Sequence, residues 1–428
     1  METLNHRDDL LSFNPTSKTV KTVSFSNDKE DQALLRKFTQ FGRDHYEGHP
    51  NFVPLLDAEH LGSTLLGMIG YFEKKNFFYE HGEARFFLAY KDGKIAGRLV
   101  AFVNDDHEKH WKDGVGFFGH FECIEDEDVA RDLLEHASAW LRARGKTIIR
   151  GPQNFPINES TPGFMVEGFE SRPIVYYHYN HPYYADFMRS LGYREREGVR
   201  SWEISFPDNQ IEEKLGPLAK RIVEKNGIEF EHWGERSIKI RKQEMFEIYN
   251  DAWSDNFGFV PFTRKEFDKI VDDMVLILDK KLFVFAYVDG EAAAFFGAVP
   301  NIFESLAPRK GFDPEAFRVA RLLLQRKSHQ GVRTGYLGVK RQFRKIGLDA
   351  VLIWKQNQYA IDRGYHYSDM GWVLESNPLM VRMIERFGGR PSKRYVVFEK
   401  SLAVPGESRP AMEKGAPGKP GNAPSLNQ

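Results

Sequence analysis

The stretch GVKRQFRKIGLDAVLI, residues 338–353, leads from an apolar run into a helical apolar repeat. It puts Arg344, Lys345, Ile346, Gly347 and Leu348 at the start of that helix. A strand-to-helix turn with a glycine offers unpaired backbone N–H groups at the positive end of the helix dipole, so it can hold a phosphate, with the basic side chains adding charge. So short an Arg-x-x-Gly pattern also occurs in ordinary solvated turns. Two carboxylates suit proton transfer: Glu159, which follows Asn158, and Glu375, in Leu-Glu-Ser-Asn. Both fall just past an expected strand, where open α/β sheets bind ligands, although capping and surface carboxylates look the same. Tyr179, Asn180 and Tyr183, in YHYNHPYY, could line such a site or pack a core.

Other groups suggest less chemistry. His107-x-x-His110 and His178-x-x-His181 have one-turn spacing, but Pro182 follows the second pair and neither has a zincin glutamate, so no metal is expected. Cys123 is the single cysteine; it excludes an internal disulfide and reads as a small buried side chain.

The 428 residues are 41% hydrophobic and 28% charged, which suits two or three globular domains, and 60 basic against 61 acidic residues leave a formal charge of −1. Balanced charge argues against a nucleic-acid partner. The N-terminal METLNHRDDLLSFNP has no apolar signal core, and no apolar run approaches the ~18 residues of a membrane span. The expected location is the cytoplasm, with peripheral contact at the inner face of the membrane left open. Residues 1–17 and 403–428, the latter rich in Pro, Gly and Ser, are expected to be disordered tails.

Between the tails the chain repeats itself. FFLAYKDGKIAGRLVAF (86–102) and LFVFAYVDGEAAAFFGA (282–298) each read as a hairpin closed by Asp-Gly, with Asp92 and Asp289 lying 197 residues apart. Gly145 and Gly364 each end a helix before a strand, and Gly192 and Gly388 each close a short helix, 196 apart. The wider spacing of the middle pair marks insertions of about twenty residues: NIFESLAPRKGFDPEAFRVARLL in the second copy and NFPINESTPGFMVEGFESRPIVYYHYN in the first. Two α/β domains are expected, 18–205 and 206–402, each a mixed twisted sheet flanked by helices. Val129, Leu133, Leu134, Ala137, Trp140 and Leu141 form one buried helix face, and Leu348, Val351 and Leu352 its counterpart.

Val339 followed by Arg344-x-x-Gly347 resembles the acyl-CoA-binding motif of the GNAT acyltransferases, and Asn377 resembles the asparagine that opens their next helix. Asp349 departs from the family's Gly or Ala. Nothing similar follows GFFGHFE in the first copy, so changes in FECIEDEDV there are expected to matter little to cofactor binding. Over nearly the whole chain, GFFGHFE, WLRARG, RGPQNFPINES, VEGF and YNHPYY resemble tandem-GNAT bacterial N-acyltransferases of the ceramide-synthase type.

The resemblance implies transfer of a fatty acyl group from acyl-CoA, without metal, to a long-chain amine, 3-oxosphinganine or sphinganine. It gives Val339 N–H to the oxyanion and assigns the cofactor to Val339, the turn 344–348 and Asn377. A base with a pKa near the working pH is needed to free the amine. Glu159 fits that role, with Tyr179 as supporting donor and Asn158, Asn180, Tyr183 and Glu375 around the acceptor. Another amine as acceptor, an aminoacyl-tRNA-dependent peptidyltransferase and a non-catalytic binder are the alternatives.

Overall fold

The computed structural model describes residues 20–64, 67–155, 160–206, 208–309 and 313–403. The expected tails fall outside these, apart from Ala403, and so do Asn158 and Glu159.

The first half runs β1 (Val20–Phe25), α1 (Gln32–Asp44), α2 (Asp57–Leu61), β2 (Gly82–Lys91), β3 (Lys94–Asn104), α3 (Asp105–Trp111), β4 (Val115–Cys123), α4 (Glu127–Arg142), β5 (Ile148–Gly151), β6 (Phe164–Glu167), α5 (Tyr183–Ser190) and β7 (Arg194–Ser205). The second runs α6 (Ile211–Asn226), β8 (Glu229–His232), α7 (Ile238–Trp253), α8 (Arg264–Val275), β9 (Phe283–Val288), β10 (Glu291–Pro300), α9 (Phe303–Leu306), α10 (Glu315–Gln325), β11 (Gly331–Val339), α11 (Leu348–Asp362), β12 (Tyr367–Leu374), α12 (Pro378–Arg386) and β13 (Arg390–Ser401). Both Asp-Gly turns adopt positive φ at both residues, 51° and 74° at Asp92-Gly93 and 50° and 79° at Asp289-Gly290. That geometry matches the twist of a two-residue hairpin, and it closes β2–β3 and β9–β10 at equivalent places in the two halves.

The thirteen strands among the described residues join one sheet. Its order is β1-β2-β3-β4-β5-β13-β7-β12-β11-β10-β9-β8, with β6 also on β13. The order reads alike from either edge, and β4–β5 and β11–β12 are its parallel pairs. The last strand of each half completes the sheet of the other: β13 pairs with β5, β7 pairs with β12, and β7 and β13 lie antiparallel at the centre.

Helix α4 buries Val129, Leu133, Leu134, Ala137, Trp140 and Leu141 against one sheet face, because these positions recur at helical spacing. A cut such as Leu133→Ala there costs about 2–5 kcal/mol. Helix α11 does the same with Leu348, Val351 and Leu352, and also buries Ile353 and Trp354. On the opposite face a single apolar cluster draws Tyr46, Val53 and Tyr179 from the first half and Met245, Phe267 and Phe295 from the second. Among the described residues no helix is long and apolar enough to cross a membrane.

Candidate active site

Parallel pairing of β11 with β12 runs from Gly331–Tyr367 to Thr334–Met370 and then stops. Strand β11 continues along β10, while β12 continues along β7 after a register shift. The strands part at two glycines: a Cβ on Gly335 would come within 2.4 Å of the Gly371 carbonyl oxygen. Lys340 N–H donates to the Ala293 carbonyl at 2.9 Å. By alternation the N–H of Val339 turns the other way, into the open wedge. Beyond β11, residues Arg341–Ile346 make a 3-10 turn and Gly347 takes φ 81°, the left-handed corner from which α11 starts. A side chain at Gly347 would be strained there, and its Cβ would press on Ile222 at 2.9 Å.

The expected cofactor residues sit around this corner. The first bond of α11 runs from Val351 N–H to the Gly347 carbonyl, so the N–H groups of Leu348, Asp349 and Ala350 precede it. Leu348 is buried and Ile346 packs on the same core, so backbone rather than side chain is on offer at both. Arg344 and Lys345 are exposed, and Arg344 donates to the Ala252 carbonyl at 2.8 Å. Asn377 caps α12, its Oδ1 accepting the Met380 N–H at 3.3 Å. An open wedge, an inward N–H, a glycine corner and two exposed cations suit a phosphate-bearing thioester. Asp349, in the first turn of α11, opposes it, and Asp251 already accepts the Arg341 N–H beside it.

The equivalent wedge of the first half is filled. Gln153 N–H donates to the Phe118 carbonyl at 2.7 Å, and Asn154 Oδ1 accepts the His120 N–H at 2.6 Å. Cys123, the counterpart of Val339, gives its N–H to the Tyr184 hydroxyl at 3.0 Å, and its carbonyl accepts from the Tyr183 hydroxyl at 2.8 Å. Acidic Glu127 and Asp128 occupy the first turn of the next helix, α4.

Between the halves, on the face carrying α1, α7 and α8, lies a cavity of about 450 Å³ with mainly apolar walls. Phe52, Val53 and Tyr179 line it from one half; Tyr249, Phe295 and Tyr336 line it from the other. The first-copy insertion supplies a wall, Val175–Asn180. Phe155 and Ser160 line the cavity as well.

One titratable group on this wall is one that sequence reasoning missed. Glu122 lines the cavity from β4, its side chain 13% exposed. Its carboxylate accepts from the Tyr46 hydroxyl at 2.5 Å and the Tyr184 hydroxyl at 2.9 Å, with Arg98 at 3.8 Å. Burial pushes the Glu122 carboxyl up to about 7, against the pull of Arg98 and the two tyrosines. His45 Nε2 lies 3.0 Å from the Tyr184 hydroxyl, and burial takes His45 down to about 4. Two residues before Glu122, His120 holds φ 46° where two residues of β4 oppose one of β3, a bulge that re-aims side chains at the rim of a site. Burial keeps His120 and His60 neutral, His60 at about 3. His120 Nε2 and His178 Nδ1 are buried with no hydrogen-bond partner among the described residues, and both residues line the cavity. The available signal was a histidine and a glutamate inside an otherwise apolar strand, VGFFGHFEC.

The other expected residues divide. Tyr179 lines the cavity, its hydroxyl 3.1 Å from His49 Nε2. Asn180 lines it too, but its amide is used within the fold: Oδ1 accepts the Met165 N–H at 2.6 Å and Nδ2 donates to the Met165 carbonyl. Tyr183 is committed to the Cys123 carbonyl. Glu375 stands apart: it pairs with Arg394 at 2.8 Å and Arg200 at 2.6 Å, outside the cavity lining. Those guanidiniums, Arg394 first, hold its carboxyl below the usual range, which unsuits it as a proton acceptor near neutrality. A second cavity carboxyl, Glu59, is also pushed up to about 7 by burial, but it accepts the Leu56 N–H at 2.6 Å as part of the α2 cap. Among the described residues no three His, Cys, Asp or Glu gather as metal ligands. Burial pushes the Cys123 thiol well above its ordinary value, so it stays protonated.

No family model matches the chain. Two relatives align along most of it: "Protein YghO" of Escherichia coli (strain K12), 30% identical over 378 residues, covering 86% of this chain and 93% of the relative; and "Bacterial ceramide synthase" of Caulobacter vibrioides (strain NA1000 / CB15N), 32% identical over 339 residues, covering 77% and 86%. Among solved structures, a tandem GNAT protein from the clavulanic acid biosynthesis pathway superposes with a TM-score of 0.51 at 12% identity, covering 90% of this chain and 99% of that one. At such identity the likeness is of fold: two GNAT-like halves in one chain.

Proposed function

The chain belongs to the family of the bacterial ceramide synthase, and from that premise we propose that it transfers a fatty acyl group from acyl-CoA to the amine of a sphingoid base, sphinganine or 3-oxosphinganine. The observation that carries the reading is the shared cavity: mainly apolar walls from both halves, with a carboxyl near pKa 7 on one of them. A site of roughly 300–1,000 Å³ with few polar groups is of the kind that buries small molecules. Each methylene buried gains about 0.8 kcal/mol, which selects long-chain amines over polar polyamines.

Bound acyl-CoA supplies the thioester carbonyl, and the chain's own groups do the rest. We assign its phosphates to the N–H groups at 348–350 with Arg344 and Lys345, and to the second half alone, since the first wedge is filled. Val339 N–H faces the wedge, where negative charge develops on the acyl oxygen. The ammonium of the acceptor gives a proton to Glu122, which Tyr46 and Tyr184 orient. The freed nitrogen attacks the carbonyl carbon, and as the carbon–sulfur bond breaks the nitrogen sheds its second proton toward the leaving sulfur and becomes the amide N–H. The departing thiolate takes a proton, for which Tyr179 stands in the cavity wall. No acyl-enzyme is needed, in keeping with the protonated Cys123. Glu159 remains a second proposed base, on the segment between Phe155 and Ser160.

Purified protein should release free CoA from palmitoyl-CoA when sphinganine or 3-oxosphinganine is added. A better rate with spermidine or an amino acid refutes the lipid acceptor, while no release with any amine refutes the transferase assignment.

A further inference from the structure

The second-copy insertion builds α9 and α10 between β10 and β11, where the first half has only α3. Helix α10 faces the wrong way for a surface helix. Its two arginines turn inward: Arg318 is 1% exposed, its Nε donating to the Leu306 carbonyl at 2.8 Å and its Nη2 to the Pro54 carbonyl. Arg321 reaches Asp313 at 2.8 Å and the Ala307 carbonyl at 2.7 Å. These bonds fix the rotation of the helix. Val319 and Leu322 line the cavity, and Phe317, Leu323 and Leu324 are left outside, 69%, 66% and 87% exposed. Phe317, Ala320 and Leu324 follow one another at helical spacing on this outer face. Leu276, just beyond α8, is 69% exposed and, like Leu323, also lines the cavity. The outer apolar surface therefore continues into the cavity. Arg326 and Lys327 stand exposed at the C-terminal end of the helix.

An apolar patch of this kind marks an interaction site. We propose that α10 docks the protein on an anionic lipid bilayer, so that a long-chain amine enters the cavity from the bilayer without crossing water. The proposal rests on the long-chain acceptor proposed above. Two observations favour a bilayer over a second copy of the chain: the cations at the helix end match anionic headgroups, and a protein seated on α10 would seal the cavity at Leu276 and Leu323.

The full chain is sedimented with vesicles of equal phosphatidylcholine and phosphatidylglycerol, and with phosphatidylcholine alone. Wild type should co-sediment with the anionic vesicles. The double variant F317S/L324S, neither residue lining the cavity, should lose at least about tenfold in partitioning, and Lys327→Gln about fivefold on anionic vesicles only. F317S/L324S should acylate sphinganine in detergent micelles at the wild-type rate and sphinganine in vesicles at least about tenfold more slowly. Wild type that binds neither vesicle, or F317S/L324S that binds like wild type, overturns the docking and leaves the transferase intact. A wild-type dimer that F317S/L324S turns into a monomer also overturns it, by assigning the face to self-association. Vesicle binding through α10 without acyl transfer supports the docking and refutes the proposed function.

Discussion

Replacing Glu122 by glutamine keeps the shape of the side chain and removes its capacity to take a proton, so two independent quantities should change together. The first is stability. A carboxyl held at about 7 when folded and near 4.5 when unfolded stabilises the fold only while protonated. That contribution is complete below about pH 4.5 and is lost as pH rises through 7, amounting to about 3 kcal/mol at 1.36 kcal/mol per tenfold. The amide of E122Q cannot ionise, so the variant should match wild type near pH 5 and exceed it by about 3 kcal/mol at pH 8. Arg98 does not upset the comparison, because its attraction is already among the causes that set the value near 7. Urea titrations at pH 5 and 8 measure the difference. The second quantity is the rate. Losing a general base should lower kcat/KM by about 10²–10⁴-fold, and the acidic limb of the pH profile, with its midpoint near 7, should vanish. A stability gain that does not depend on pH would show that the carboxyl is not held neutral. An intact pH limb in E122Q, lost instead in Glu159→Gln, would move the base to Glu159.

Arg344→Ala or Gly347→Glu should weaken acyl-CoA binding by about 1–3 kcal/mol by calorimetry, through loss of a charge-assisted bond or through a carboxylate and strain at φ 81°; unchanged affinity in both refutes the corner as the phosphate site. A fragment ending at the proposed domain boundary, residues 18–205, leaves β5 and β6 without β13 and β7 without either neighbour, so it should fail to give a dispersed amide NMR spectrum; a soluble, well-dispersed monomer refutes the mutual completion of the two sheets.

The hairpins were readable because Asp-Gly between alternating apolar residues has few other solutions, and α4 and α11 because their buried positions recur at helical spacing. These are local signals. Glu122 meets Tyr46 and Tyr184 across 76 and 62 residues, and Glu375 meets Arg200 across 175, so no periodicity announces either arrangement. Pattern also left Asn180 ambiguous: a polar residue among aromatics looks the same whether it faces a ligand or, as here, the backbone of a neighbouring strand. The exchange of β7 and β13 was invisible for a related reason. Each has the composition of a final strand, and nothing in a strand states which repeat it will pair with.

That exchange sets a schedule for synthesis. Strand β5, Ile148–Gly151, waits for Phe398–Ser401, some 250 residues later in the chain. At 5–20 residues per second the ribosome needs roughly 10–50 s to deliver the missing strand. Through that interval the first half presents an unpaired edge at β5, the kind of surface on which neighbouring nascent chains pair. Loss of the final segment, by a stop codon or a protease, should therefore be felt first at the opposite end of the protein, where Glu122 stands.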